Sequence, residues 1–136
     1  EIEMIELFKN MQSIHHTFKV TEDVYNAFQL CSGDFNPLHT DERFAKSKGF
    51  NERVMYGNIL NAFVSKLIGE CLPTQNVLIN SQDISYRQPV FMNDILDAEV
   101  SVEEVFESVN VVNLKFYFKN ESRKTVARGH VQISVI

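Results

Sequence analysis

Residues 56–71 read YGNILNAFVSKLIGEC. Ile59, Leu60, Phe63, Val64, Leu67, Ile68 and Cys71 recur at the i, i+3, i+4 spacing of one helical face, so the segment predicts a helix, ended by Leu72-Pro73-Thr74. Asn58, Asn61 and Ser65 fall on one narrow polar side. A helix with so little polar surface needs cover around most of its circumference, and a sheet wrapped around it supplies that cover.

The flanking segments provide the sheet. Residues 76–87 are rich in β-formers, and ILDAEVSVEEVF at 95–106 reads as a long strand. NVVNLKFYFKN at 110–120 places Val112, Leu114, Phe116 and Phe118 on one face. TVARGHVQISVI at 125–136 places Ala127, Val131, Ile133 and Val135 on one face, and Arg128, His130, Gln132 and Ser134 on the other. The turn NESRK joins these two as a hairpin. Upstream, IHHTFKV at 14–20 reads as a strand, and Thr21 caps a helix over 22–31 with Val24, Phe28 and Cys31 at helical spacing. Glu22 and Asp23 suit its first turn, and Gly33 ends it. A second short helix follows over 40–49, capped by Thr40 or Asp41 and ended by Gly49, and residues 2–11 predict a short amphipathic helix through Ile2, Ile5 and Phe8. The order is strand, helices, one dominant apolar helix, then antiparallel strands, which is an α+β fold with an antiparallel sheet around a central helix. No repeat or linker divides residues 1–136, so one domain is expected, with 1–12 as an N-terminal extension. A single-layer sheet leaves an outer face and edges to cover, so a dimer is expected.

Composition narrows the function. The chain has 136 residues and a net charge of -5, with its Lys and Arg scattered, which argues against a nucleic-acid surface. The apolar stretch 59–68 is broken by Asn61, Ser65 and Lys66, so no membrane insertion is expected. The start EIEMIELFKNMQ lacks a basic region followed by a long apolar run, so no secretory signal and a cytoplasmic location are expected. Cys31 and Cys71 have no CxxC partner and read as free thiols. His15 and His16 point to opposite sides of a strand, and no zinc-type spacing exists, so no metal is expected.

The chemistry gathers in CSGDFNPLHTD at 31–41. Pro37 fixes its own φ and biases Asn36 toward an extended conformation, which stiffens the loop. A stiff loop can aim Asp34 and His39 at one point, and a carboxylate and an imidazole are common general acid–base groups near neutral pH. The plainer alternative is a helix C-cap at Gly33 followed by an Asx turn at Asp34, with His39 on the surface.

The motif SGDFNPLHTD, with VYNAFQLC before it, resembles the signature of the MaoC-like dehydratases and (R)-specific enoyl-CoA hydratases. RFAKSKGFNERVMYGNIL is similar to that family's approach to its central helix, and LPTQNVLINSQDISYRQPVFMNDIL to a later strand pair. The resemblance covers about residues 20–135. It implies the hot-dog fold, an acyl-thioester substrate carried by CoA or acyl carrier protein, no metal or redox cofactor, and a homodimer packed sheet edge to sheet edge. Residue by residue it implies Asp34 and His39 as the acid–base pair, Asn36 as a residue orienting them, and Gly57 as a backbone donor to the thioester oxygen. It places Ser65 near the acyl chain, where a surface serine is the equal alternative, and puts Tyr56 and Asn58 beside the substrate.

The chain departs from the pattern in two places. Tyr56-Gly57-Asn58 stands where the family often has His-Gly-Met, and in MNDIL Asn93 and Ile95 replace a glycine and a threonine while Asp94 remains. Arg43, Lys46, Arg53, Arg87 and Arg128 are candidates for CoA phosphates or plain surface charges. A hot-dog thioesterase and a non-catalytic acyl-thioester-binding module are the alternatives in function.

Overall fold

The computed structural model describes residues 3–136. Ile2 lies outside the described residues. A short helix α1 (Glu6–Lys9) leads into strand β1 (Ile14–Lys19). Helices α2 (Glu22–Ser32), α3 (Pro37–Thr40) and α4 (Glu42–Ser47) follow, then the central helix α5 (Ile59–Lys66), which a π-helical turn continues to Cys71. Strands β2 (Val77–Tyr86), β3 (Ile95–Phe106), β4 (Val111–Lys119) and β5 (Thr125–Val135) complete one sheet of order β1-β3-β4-β5-β2, with every neighbouring pair antiparallel. β1 and β2 are its edges.

The inner face of the sheet is the apolar face expected from alternation. Val112, Leu114, Phe116 and Phe118 of β4 are buried, as are Ala127, Val131, Ile133 and Val135 of β5. They form one core with Ile59, Leu60, Phe63, Val64, Leu67 and Ile68 of the central helix. Phe63 stacks on Phe18 of β1 with ring centroids 4.4 Å apart, and its ring is 6.4 Å from that of Phe118. The sheet therefore wraps the helix, and burial of apolar area is the main term holding the two together. The hairpin closes at Asn120–Lys124 with Arg123 at φ 61. Gly129 has no room for a side chain: a Cβ there would lie 2.0 Å from the Asp83 carbonyl oxygen.

Three expectations need adjustment. The central helix begins at Ile59 because Tyr56-Gly57-Asn58 forms a turn whose carbonyls accept from Ile59, Leu60 and Asn61. The N-terminal segment is no loose extension from Ile5 onward, since Ile5 and Phe8 belong to the core. In α2 the buried residue is Tyr25, while Val24 and Phe28 are half-buried and Cys31 is exposed. Tyr25 turns inward because its hydroxyl finds partners there: it donates to the His39 carbonyl at 2.9 Å and accepts from Gln29 and Arg53.

Candidate active site

Local hydrogen bonds shape the loop after α2. Gly33 takes φ 68, and its N–H donates to the Gln29 carbonyl, closing the helix. The Asn36 N–H donates to Asp34 Oδ1 at 2.9 Å, so the Asx turn is present. The Asn36 side chain in turn accepts from the Leu38 N–H at 2.9 Å and caps α3, with Pro37 as its first residue. The His39 N–H donates to the Asn36 carbonyl at 2.9 Å. Asn36 thus touches both Asp34 and His39 through its main chain, while its side chain is spent on the cap. Asp41 then caps α4 by accepting from Arg43 and Phe44.

Longer-range contacts fix His39. Its Nδ1 lies 2.8 Å from the Val54 carbonyl oxygen, which only accepts, so Nδ1 carries the proton and Nε2 is the free ring nitrogen. Val54 is held there by its N–H, which donates to the Leu38 carbonyl, and by a bridge to Phe91. The imidazole packs on Tyr56, centroid to centroid 4.3 Å. Tyr56 is only 2% exposed, and its hydroxyl donates to the Asp34 carbonyl at 2.5 Å. Burial raises the Tyr56 phenol above its ordinary pKa, so it remains a donor at neutral pH. Gln29 donates to the hydroxyls of both Tyr56 and Tyr25. The Tyr56 side chain therefore holds the loop, and it is not among the walls of the cleft beside His39.

His39 and Gly57 meet in a cleft of about 340 Å³, lined also by Val54, Met55, Tyr86, Arg87, Pro89 and Val90. Among the described residues no acceptor faces the Gly57 N–H, which stands just before the first turn of α5. An unpaired N–H at a helix N-terminus carries partial positive charge. The Tyr86 ring packs directly over Gly57, where a Cβ would lie 3.1 Å from a ring carbon. The Tyr86 hydroxyl donates to Asn58 Oδ1 at 3.0 Å, and burial raises its pKa as well. Asn61 joins this network by donating to Asn58 and Tyr86 and accepting from Gln82.

None of the remaining expected residues lines the cleft itself. Asp34 is exposed and makes no hydrogen bond to His39. Asn58 borders the cleft through Tyr86, and Ser65 is exposed two turns farther along α5 with no side-chain hydrogen bond. Sequence reading missed Tyr86 as a cleft wall and Val54 as the partner of His39. No local pattern marks a carbonyl fifteen residues from the imidazole it orients. Among the described residues no group of His, Cys, Asp or Glu is arranged to hold a metal. No described helix is long and apolar enough to cross a membrane.

Comparison with known proteins agrees with this architecture. A family model described as "MaoC like domain" matches residues 8–121. The chain is 36% identical over 88 residues, 65% of its length, to the (R)-specific enoyl-CoA hydratase of Aeromonas caviae. It is 30% identical over 112 residues, 80% of its length, to a mitochondrial 3-hydroxyacyl-[acyl-carrier-protein] dehydratase of Arabidopsis thaliana. It spans 66% of the length of either relative, just under two thirds. The solved structure of the A. caviae (R)-hydratase involved in PHA biosynthesis superposes with a TM-score of 0.86 at 26% identity, covering 94% of this chain and 99% of that one. The chain belongs to the family of MaoC-like domains and has the hot-dog fold of its hydratase neighbours.

Proposed function

We propose that the protein adds water across trans-2-enoyl thioesters to give (R)-3-hydroxyacyl thioesters, or runs the reverse dehydration. The observation that carries this reading is that His39, with Nε2 free, and Gly57, with its N–H unpaired, face the same cleft. Hydration needs those two functions at one place. As the water oxygen bonds to C3, the thioester becomes enolate-like and negative charge builds on its carbonyl oxygen. The Gly57 N–H at the positive end of α5 stabilises that charge. Asp34 and His39 share the proton work: one proton leaves the water and one arrives at C2. Asn36 fixes the spacing of the pair through its main chain. The step uses no metal or redox cofactor, and CoA or an acyl carrier protein serves as the substrate's handle. The names of the relatives, hydratase in one case and dehydratase in the other, fit the two directions of this reaction.

The active form in this reading is a homodimer. β2 is an unpaired edge on which Leu78 and Ile79 are 58% and 44% exposed, a surface suited to a second copy.

Mixing the protein with crotonyl-CoA tests the reaction. The conjugated enoyl-thioester absorbance is expected to fall with no release of free thiol. Thiol release would make the protein a thioesterase, and loss of neither with short, medium and long enoyl-CoA chains would make it a binding module.

A further inference from the structure

The cleft is not the largest cavity. On the outer face of the sheet, away from α5, lies a cavity of about 780 Å³. Four cationic side chains line it, Arg87, Lys115, Lys119 and Arg128, against the two carboxylates Asp83 and Glu99. Both carboxylates already face imidazoles: Asp83 lies 3.2 Å from His130, and Glu99 lies 3.2 Å from His15. Arg87, Lys115, Lys119 and Arg128 make no ion pair among the described residues. In a chain of net charge -5, four unpaired cations in one concavity are an uneven distribution that selects for an anion.

Strand register builds the cluster. Arg128 stands opposite Ser85 on one side and Tyr117 on the other, and Lys115 stands opposite Ser101 and His130. Ser85 and Tyr117 therefore flank Arg128, and Ser101 stands beside Lys115. Arg87 lines this cavity and also the cleft that holds His39 and Gly57. From Arg87 back to Asp83 the cavity runs four residues along β2, roughly 14 Å at the rise of a strand. Of the other cations with a claim on phosphate, Arg43, Lys46 and Arg53 do not line this cavity; within it, the Lys119 ammonium lies 4.9 Å from the Tyr117 ring centre.

We infer that the cavity of Arg87, Lys115, Lys119 and Arg128 is an anion subsite that binds the phosphate groups of the thioester's carrier. This rests on reading the cleft as an acyl-thioester site. With the reacting end between His39 and Gly57, a carrier that leaves past Arg87 lays its phosphates on the outer face of the sheet. Guanidinium and ammonium groups with neighbouring hydroxyls are the donors that phosphate oxygens take.

The test uses the full chain with Arg128→Gln and Lys115→Gln combined, both exposed strand positions outside the cleft. Three thioesters carry the same crotonyl group: crotonyl-CoA, crotonyl-phosphopantetheine and crotonyl-pantetheine. The double variant is expected to raise KM for crotonyl-CoA about tenfold with kcat kept, the loss of one charge-assisted contact. It is expected to move KM for the phosphate-free thioester less than twofold. An equal effect on crotonyl-phosphopantetheine assigns the subsite to the arm phosphate that a carrier protein also presents. An effect on crotonyl-CoA alone assigns it to the nucleotide phosphates. Equal changes for all three, or no change, overturn the inference. Calorimetric titration with CoA itself separates the subsite from the reaction. If no thioester is hydrated but the variant binds CoA about tenfold more weakly than the wild type, the subsite stands and the hydratase reading falls. If CoA binds both equally, or binds neither, the subsite falls.

Discussion

Residues 33–37 are exposed, and they are held by bonds between near neighbours: Gly33 to Gln29, Asn36 to Asp34, Leu38 to Asn36. The residues of α5 that meet the sheet are buried, and their partners come from strands remote in sequence, such as Phe18 and Phe118 for Phe63. In the proposed reaction the loop carries the acid–base groups, and the turn before the helix carries the backbone donor. The division has a physical cause. A carboxylate keeps its charge cheaply only where water reaches it, whereas an apolar helix is stable only where water is excluded. The two regions meet at Tyr56 and His39, where a buried ring supports an imidazole that opens on the cleft.

If this division is right, substitutions in the two regions separate stability from activity. The largest loss of stability is expected from Leu67→Ala at the end of α5. The side chain is fully buried, and its truncation costs about 3 kcal/mol, read as a lower denaturant midpoint with an unchanged slope. Gly57→Ala keeps the N–H but pushes on the Tyr86 ring 3.1 Å away. It is expected to lower kcat/KM for crotonyl-CoA about tenfold, because sub-ångström errors at a reacting centre are costly. A variant with wild-type kinetics would mean that the cleft does not hold the thioester where the Gly57 N–H reaches it.

Tyr56→Phe tests the junction. It removes the bond to the Asp34 carbonyl, worth about 1 kcal/mol, so amide exchange at 34–41 is expected to rise about fivefold. The denaturant midpoint should move less than in Leu67→Ala. A loop that exchanges as before would show that local bonds alone hold it.

The smallest effect is expected at Asp97 on the outer sheet face. The Arg123 guanidinium, 2.7 Å away, holds its carboxyl below the usual carboxylate range, helped by the Thr17 hydroxyl. The folded protein binds this proton more weakly than the unfolded chain does. The stabilisation is therefore present above the ordinary carboxylate pKa and is lost as pH falls through the lowered one. Asp97→Asn should remove this small acid-side slope and leave hydration rates unchanged, and salt should weaken it in the wild type because the pair is exposed.

The same division explains what could be read from the sequence. Features set by neighbours were legible: the bounds of β3, the Thr21 cap on the Val24 N–H, the positive φ at Gly33, and Asn93 at φ 70 in place of a glycine. The apolar faces of β4 and β5 followed from period-two alternation. Features set by tertiary partners were not legible. On α2, Val24 and Phe28 pack against the core as their spacing predicts, but the buried Tyr25 was not legible because it is polar at its tip, and its partners Gln29, Arg53 and the His39 carbonyl are brought together only by the fold. Val54 gave no signal because it acts on His39 only through a contact that the fold makes. The resemblance put Tyr56 beside the substrate, where the family often has a histidine; the Tyr56 hydroxyl binds the loop at the Asp34 carbonyl, while Gly57 lines the cleft.

The most direct measurement of the central claim is a double-mutant cycle on crotonyl-CoA hydration with Asp34→Asn, His39→Ala and the two combined. If the loop holds one acid–base unit, each single change lowers kcat at least about a hundredfold, and the double is little worse than the poorer single. Stability is expected to stay within about 0.5 kcal/mol of the wild type for Asp34→Asn, at an exposed position, and to fall by about 1 kcal/mol for His39→Ala, which loses the bond to Val54, so both variants remain folded in the assay. A wild-type rate in either single variant, or losses that simply multiply in the double, would contradict a joint role for Asp34 and His39.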